Sequence, residues 1–187
     1  MTDASGTAGS EAAERSDRVR VWDPLVRMFH WSLVGMFGFA FLTGDEWGWV
    51  HRQAGYIVAG LLAARVIWGV IGSRYARFSD FVYRPATVFA FLKDMLAMKA
   101  KRYIGHNPAG GAMAVALILA ITAICVTGHM MTMDAYWGAQ WVEDAHEISV
   151  NATLVLIALH VAGVVLTSIE QKENLVKSMF TGLKRRN

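Results

Sequence analysis

Residues 145–160 read AHEISVNATLVLIALH, an apolar run with a histidine near its start and another at its end. His146 and His160 lie fourteen residues apart. At 3.6 residues per turn this is nearly four whole turns, so both imidazoles leave the same face of a helix. The rise of 1.5 Å per residue sets them about 21 Å apart along its axis. Ionisable side chains within a bilayer span are costly and turn to the interior of a bundle. Two of them at one azimuth and two depths make a helix that serves two sites, one above the other.

The rest of the chain supplies the bundle. Hydrophobic residues make up 55% of the 187 and charged residues 18%, with a mean hydropathy of +0.34; a soluble domain carries about 25% charged residues. Apolar blocks at 25–42, 50–71, 112–132 and 148–169 each approach the roughly 20 residues that cross a hydrocarbon core. The expected fold is all-α, an integral membrane four-helix bundle. Residues 1–18 are small and polar, without the pattern of a signal peptide, and read as a disordered cytoplasmic tail. Residues 19–187 form the four-span domain. The link at 85–100, PATVFAFLKDMLAMKA, spaces Phe89, Leu92, Met95 and Leu96 as a short helix lying in the membrane interface.

Charge sets the orientation. Of the 18 basic residues, 16 fall in the N-terminal piece up to Arg27 at the start of the first span, between the second and third spans, or after the fourth. The connections at 43–49 and 133–147 carry none and hold Asp45, Glu46, Asp134, Glu143, Asp144 and Glu147 instead. The positive-inside rule then places both termini on the cytoplasmic side of the membrane, which requires an even number of spans. The net charge of +3 follows from this pattern; the basic residues alternate with lipid-facing blocks and form no stripe for nucleic acid.

Four histidines pair by depth. His30 opens the first span on the cytoplasmic side and meets the level of His160, while His51 opens the second on the outer side and meets His146. Two bis-histidine sites result, built from facing helices. Imidazole suits haem iron, and two axial imidazoles favour electron transfer over oxygen chemistry. The lone Cys125 excludes a CxxCH attachment and a cysteine-held cluster, and reads as a small packing residue. Gly35, Gly38, Gly55, Gly60, Gly111, Gly128 and Gly163 either let helices approach closely or leave room for a flat macrocycle. Arg52 and Arg65 either pair with haem propionates or snorkel to the interface. His106 and His129 have no counterpart at matching depth, and each reads as interfacial packing, a propionate contact or part of a quinone site.

The segments RVWDPLVRMFHW around His30, WVHRQAGY around His51, GSRYARFSDFV at 72–82, GHNPAG at 105–110 and the 145–160 pair, in this order, resemble the bacterial cytochrome b561 family, including the b-type subunits of nickel–iron hydrogenases. The resemblance covers roughly residues 20–184. It implies a four-helix bundle with two non-covalent haem b groups whose iron is bound by His30, His51, His146 and His160. It also implies electron exchange between quinone and a redox partner; His129 stands outside the family's pattern.

The leading functional expectation is therefore an electron-transfer component that links the quinone pool to a periplasmic redox protein, such as a cytochrome c or a hydrogenase-like enzyme. A haem enzyme acting on a small oxidant or reductant such as superoxide, with quinone as co-substrate, is the second. A non-haem metal-transport bundle is the third. It fits worst, because direct coordination needs ligands within about 2 Å of one ion, whereas His146 and His160 sit far apart.

Overall fold

The computed structural model describes residues 18–44 and 48–186. Strand β1 (Arg18–Arg20) is followed by α1 (Pro24–Leu42) and α2 (Gly48–Ile71). A 3-10 turn (Arg74–Ala76) and the single-turn α3 (Phe78–Phe81) lead to α4 (Pro85–Leu96). Then come α5 (Pro108–Met130), a second 3-10 turn (Asp134–Tyr136), α6 (Gln140–Glu170), α7 (Leu175–Thr181) and strand β2 (Leu183–Arg185). Helices α1, α2, α5 and α6 are long and apolar enough to cross a membrane.

The helix starts follow from local chemistry. All three prolines of the chain open helices, Pro24, Pro85 and Pro108, where a missing N–H costs nothing and the fixed φ is already helical. Asp23 caps α1 by accepting from the Val26 N–H at 2.9 Å, and Asn107 caps α5 by accepting from Gly110 at 2.6 Å. Asp23 also accepts from Trp68 Nε1 at 3.2 Å and from Ser73 Oγ, which ties the start of α1 to the end of α2. Gly182 ends α7 at φ +80°. That is the left-handed conformation glycine favours, and a Cβ there would also lie 2.6 Å from the Trp22 carbonyl oxygen.

The four long helices pack chiefly as two hairpins, α1 with α2 and α5 with α6, and α2 meets α5 between them. Val58, Leu62 and Ile121 are buried at that junction, with Leu33, Met36, Ile118 and Cys125 packed around them; the cysteine acts as a small apolar residue. The outward faces keep apolar side chains exposed, among them Ile67, Val70, Leu119 and Val155, as a lipid surface requires. Phe89 and Leu96 on α4 are likewise exposed while Phe91 is buried. Helix α4 stops at Leu96, short of the expected 100, because Met98 turns to φ +54°.

Two features depart from the sequence reading. The fold is not purely helical: β1 and β2 pair antiparallel, Arg18 with Arg185, Val19 with Lys184 and Arg20 with Leu183. Of the expected tail only Arg18 is described, and it lies in this strand. The pairing brings both ends of the described chain to one end of the bundle, here the terminal end. Second, α6 begins eight residues before the apolar block, because hydropathy marks the lipid-buried part of a helix and not its polar extension. Asp45 and Glu46 lie outside the described residues.

At the terminal end, Arg102 Nη2 donates to Glu173 Oε2 at 2.8 Å and also to the Arg185 carbonyl. The Arg185 N–H donates to Glu173 Oε1 at 2.6 Å, and Lys184 Nζ donates to the Tyr103 carbonyl at 3.1 Å. The link after α4 and the C-terminal strand are thereby laced together.

Candidate functional site

Helix α6 carries His146 near its far end and His160 toward the terminal end, and each faces a histidine from the other hairpin. His30 of α1 and His160 have ring centroids 6.5 Å apart; His51 of α2 and His146 have theirs 6.2 Å apart. Yet α6 makes at most marginal backbone contact with α1 or α2. The rings reach toward each other between helices that otherwise stand apart.

The separation is informative. A metal–imidazole bond is about 2.0–2.1 Å and a ring nitrogen lies roughly 1.1 Å from its ring centre, so two imidazoles trans across one metal have centroids about 6.3 Å apart. Both pairs fall close to this value. Among the described residues no three His, Cys, Asp or Glu side chains gather to hold an ion; these four histidines stand in twos.

The ring orientations fit the same chemistry. His51 Nδ1 lies 2.8 Å from the Ala40 carbonyl oxygen. His146 Nδ1 lies 3.1 Å from both the Ile124 carbonyl and Thr127 Oγ1, and the Thr127 hydroxyl itself donates to Ala123 at 2.7 Å. A carbonyl only accepts, so Nδ1 carries the proton in both rings and Nε2 keeps its lone pair. Metal-binding histidines are held in this way. Gly128 completes the seat of His146, since a Cβ there would come 3.0 Å from its Cε1. At the other pair, His30 Nδ1 and the neighbouring Trp31 Nε1 are buried without a hydrogen-bond partner among the described residues. Trp31 stacks on Phe180 at 4.2 Å.

The glycines divide. A Cβ at Gly35, Gly38, Gly55, Gly60 or Gly163 would meet nothing within 4 Å, so close helix contact is not their role. Gly111 does sit at one, with a Cβ 2.1 Å from the Phe81 carbonyl oxygen.

The arginines also differ. Arg65 follows His51 by fourteen residues, as His160 follows His146, so it stands on α2 at the depth of His160. Its guanidinium lies 5.5 Å from the Phe78 ring centre and 5.9 Å from that of Phe81, and its Nη1 is buried without a partner among the described residues. Arg52 is exposed at the start of α2.

The two remaining histidines acquire neighbours that sequence spacing did not reveal. His106 sits between Trp22, 4.7 Å away, and Phe81, 4.5 Å away. Burial, and then the positive field of Arg65, Lys184 and His160, push its pKa down to about 3, so it is neutral. His129 Nδ1 and Tyr56 Oη are 3.1 Å apart on an exposed face. Trp22, Phe81 and Thr127 went unnoticed in the sequence because their roles depend on contacts between distant segments; the carbonyls of Ala40 and Ile124 have no sequence signature at all.

The family described as prokaryotic cytochrome b561 matches residues 21–182. A protein of Bradyrhizobium diazoefficiens named "Probable Ni/Fe-hydrogenase B-type cytochrome subunit" is 24% identical, over 96% of this chain and 90% of its own length. Proteins of the same name from Rhizobium leguminosarum bv. viciae and Rhodobacter capsulatus are 24% and 22% identical, over 96% and 92% of this chain and 93% and 83% of theirs. No solved structure matches at a significant level. With four apolar membrane-length helices and a family match over most of its length, the chain belongs to the prokaryotic cytochrome b561 family and is a membrane cytochrome of the b type.

Proposed function

We propose that the chain is a dihaem electron carrier between the quinone pool and a periplasmic redox partner. His30 with His160 and His51 with His146 each hold one haem b through Nε2, and Arg65 and Arg52 meet propionate groups. The observation that carries this reading is the two ring separations of 6.5 and 6.2 Å between helices that do not otherwise pack together. When bound, haem supplies reversible one-electron storage. The protein's part is to orient the His51 and His146 imidazoles through their Nδ1 partners, to leave no third His, Cys, Asp or Glu ligand at either pair among the described residues, and to set the pairs about 21 Å apart along α6. That distance covers much of the roughly 30 Å hydrocarbon core.

In the proposed orientation the terminal end faces the cytoplasm. The names of the relatives make a nickel–iron hydrogenase-like enzyme the first partner to test, ahead of a cytochrome c. The far end, with Asp134, Glu143 and Asp144, is its proposed docking side, and the basic terminal end is the proposed quinone side. Stopped-flow absorbance on membranes containing the full chain tests the reading: added quinol reduces haem, and the partner protein reoxidises it. The reading fails if quinol reduces neither haem, or if loss of one pair leaves quinol-to-partner transfer at its full rate.

A further inference from the structure

We infer that His106, together with Arg65, binds a carboxylate of the group held by His30 and His160, namely a propionate of that haem. This rests on the reading that the pair holds haem, and His106 is the residue it adds. His106 Nδ1 and Arg65 Nη1 are both fully buried, and neither has a hydrogen-bond partner among the described residues. Buried polar atoms are almost always satisfied. In the proposed arrangement the neutral His106 ring carries its proton on Nδ1, so that it and Arg65 Nη1 are two donors that call for an acceptor.

Both lie against Phe81. The Arg65 guanidinium carbon is 5.9 Å from that ring's centre and the His106 ring is 4.5 Å from it. Arg65 shares the depth of His160, and His106 feels the fields of both Arg65 and His160. Neither donor is free to find water. Trp22 and Phe81 clamp the imidazole from two sides, and the guanidinium is set against Phe78 and Phe81. Asp23, the acid whose field reaches Arg65, has both oxygens engaged by Val26, Trp68 and Ser73. One guanidinium beside one neutral imidazole matches a carboxylate in charge and in donor number.

The test is a redox titration and resonance Raman spectrum of the full-length, haem-loaded protein and of His106→Phe, which keeps the stacking surface and removes the nitrogen. With a donor lost, the carboxylate charge is less compensated and favours the ferric state. The midpoint potential of the haem that depends on His160 then falls, its propionate bending mode shifts, and the other haem keeps its potential. His106→Gln, which restores an N–H, returns both readouts toward the wild type. An unchanged potential and propionate mode in His106→Phe overturns the inference, as does an equal shift of both haems. So does loss of quinone-analogue binding with the propionate mode unmoved, which assigns the donor to a quinone oxygen. If His106→Phe fails to load that haem, normal loading and potential in His106→Gln support the inference, and failure there too overturns it. Absence of any haem spectrum in the wild type defeats the underlying reading instead.

Discussion

The imidazole of His51 is anchored to Ala40 by a 2.8 Å hydrogen bond that runs from the first turn of α2 back to the last turn of α1. The bond crosses the connection between the two helices, so the ring's direction is set by the hairpin and not by α2 itself. A ring held in this way is oriented by the fold itself, and the entropy of ordering it is lost on folding. His146 is fixed by α5 through Ile124 and Thr127 in the same manner. The two rings that face each other at the far end are therefore aimed by different hairpins.

Replacing the histidines one at a time tests the pairing. His160→Ala removes or converts one haem and spares the other; His51→Ala does the reverse. Low-temperature absorption spectra that resolve the two α-bands provide the measurement. Loss of the same haem in both variants contradicts the pairing.

Haem content follows from the same geometry. A pyridine haemochrome assay on purified protein gives two haem b per chain. Acid–acetone extracts both, since the lone cysteine, Cys125, is packed with apolar neighbours and cannot form the paired thioether links of a CxxCH site. One haem per chain, or haem retained after extraction, rules this out.

Gly128 and Gly111 separate site from fold. A side chain at Gly128 presses on the His146 ring, 3.0 Å from the added Cβ, so Gly128→Leu lowers occupancy of the far-end haem several-fold and leaves the other loaded. Gly111→Ala instead drives a methyl into the Phe81 backbone, lowering thermal stability and both haems alike. Haem-specific spectra and thermal denaturation of the two variants distinguish these outcomes.

Topology is tested with reporters. A fusion after Asn187 that is active only in the periplasm stays silent, and a cytoplasmic reporter at the same place is active. Because β1 pairs with β2, a reporter on the N-terminal side behaves identically. Periplasmic activity at either end overturns the orientation.

Glu173 makes the terminal lacing pH-dependent. Burial pushes its carboxyl up, but the Arg185 N–H and the Arg102 guanidinium outweigh this and hold it below the ordinary value of 4.5. A depressed folded pKa contributes stability above the unfolded pKa and loses it as pH falls through the folded one. Glu173→Gln thus destabilises the protein at pH 7 by about 1.5–3 kcal/mol, the scale of a hydrogen bond to a charged group. The difference from wild type shrinks as pH falls below 4.5. Denaturation midpoints measured across that window provide the check; a difference independent of pH rejects the assignment.

Much of the fold was legible because bilayer physics writes long, simple signals. The apolar blocks located α1, α2 and α5 to within a few residues, and the fourteen-residue interval on α6 put His146 and His160 on one face. What the sequence hid depends on distant segments meeting. Nothing local in RVR at 18–20 or LKR at 183–185 announces a strand, since each forms only against the other. His106 looked like an unmatched loop residue because Trp22, Phe81 and Arg65, its neighbours in space, are remote along the chain. The glycines were ambiguous for a related reason: spacing cannot tell a position where helices touch, as at Gly111, from one where they do not, as at Gly163.

Helix α6 furnishes one histidine of each pair, and it is the last long helix to be synthesised. His30 and His51 emerge from the ribosome well before either has a counterpart, and the first three spans can enter the bilayer with neither pair assembled. Both pairs then come into being with a single insertion event, and β2, made later still, closes over β1 only afterwards. Neither pair can exist until α6 has been made, and a chain truncated before residue 140 lacks one histidine of each.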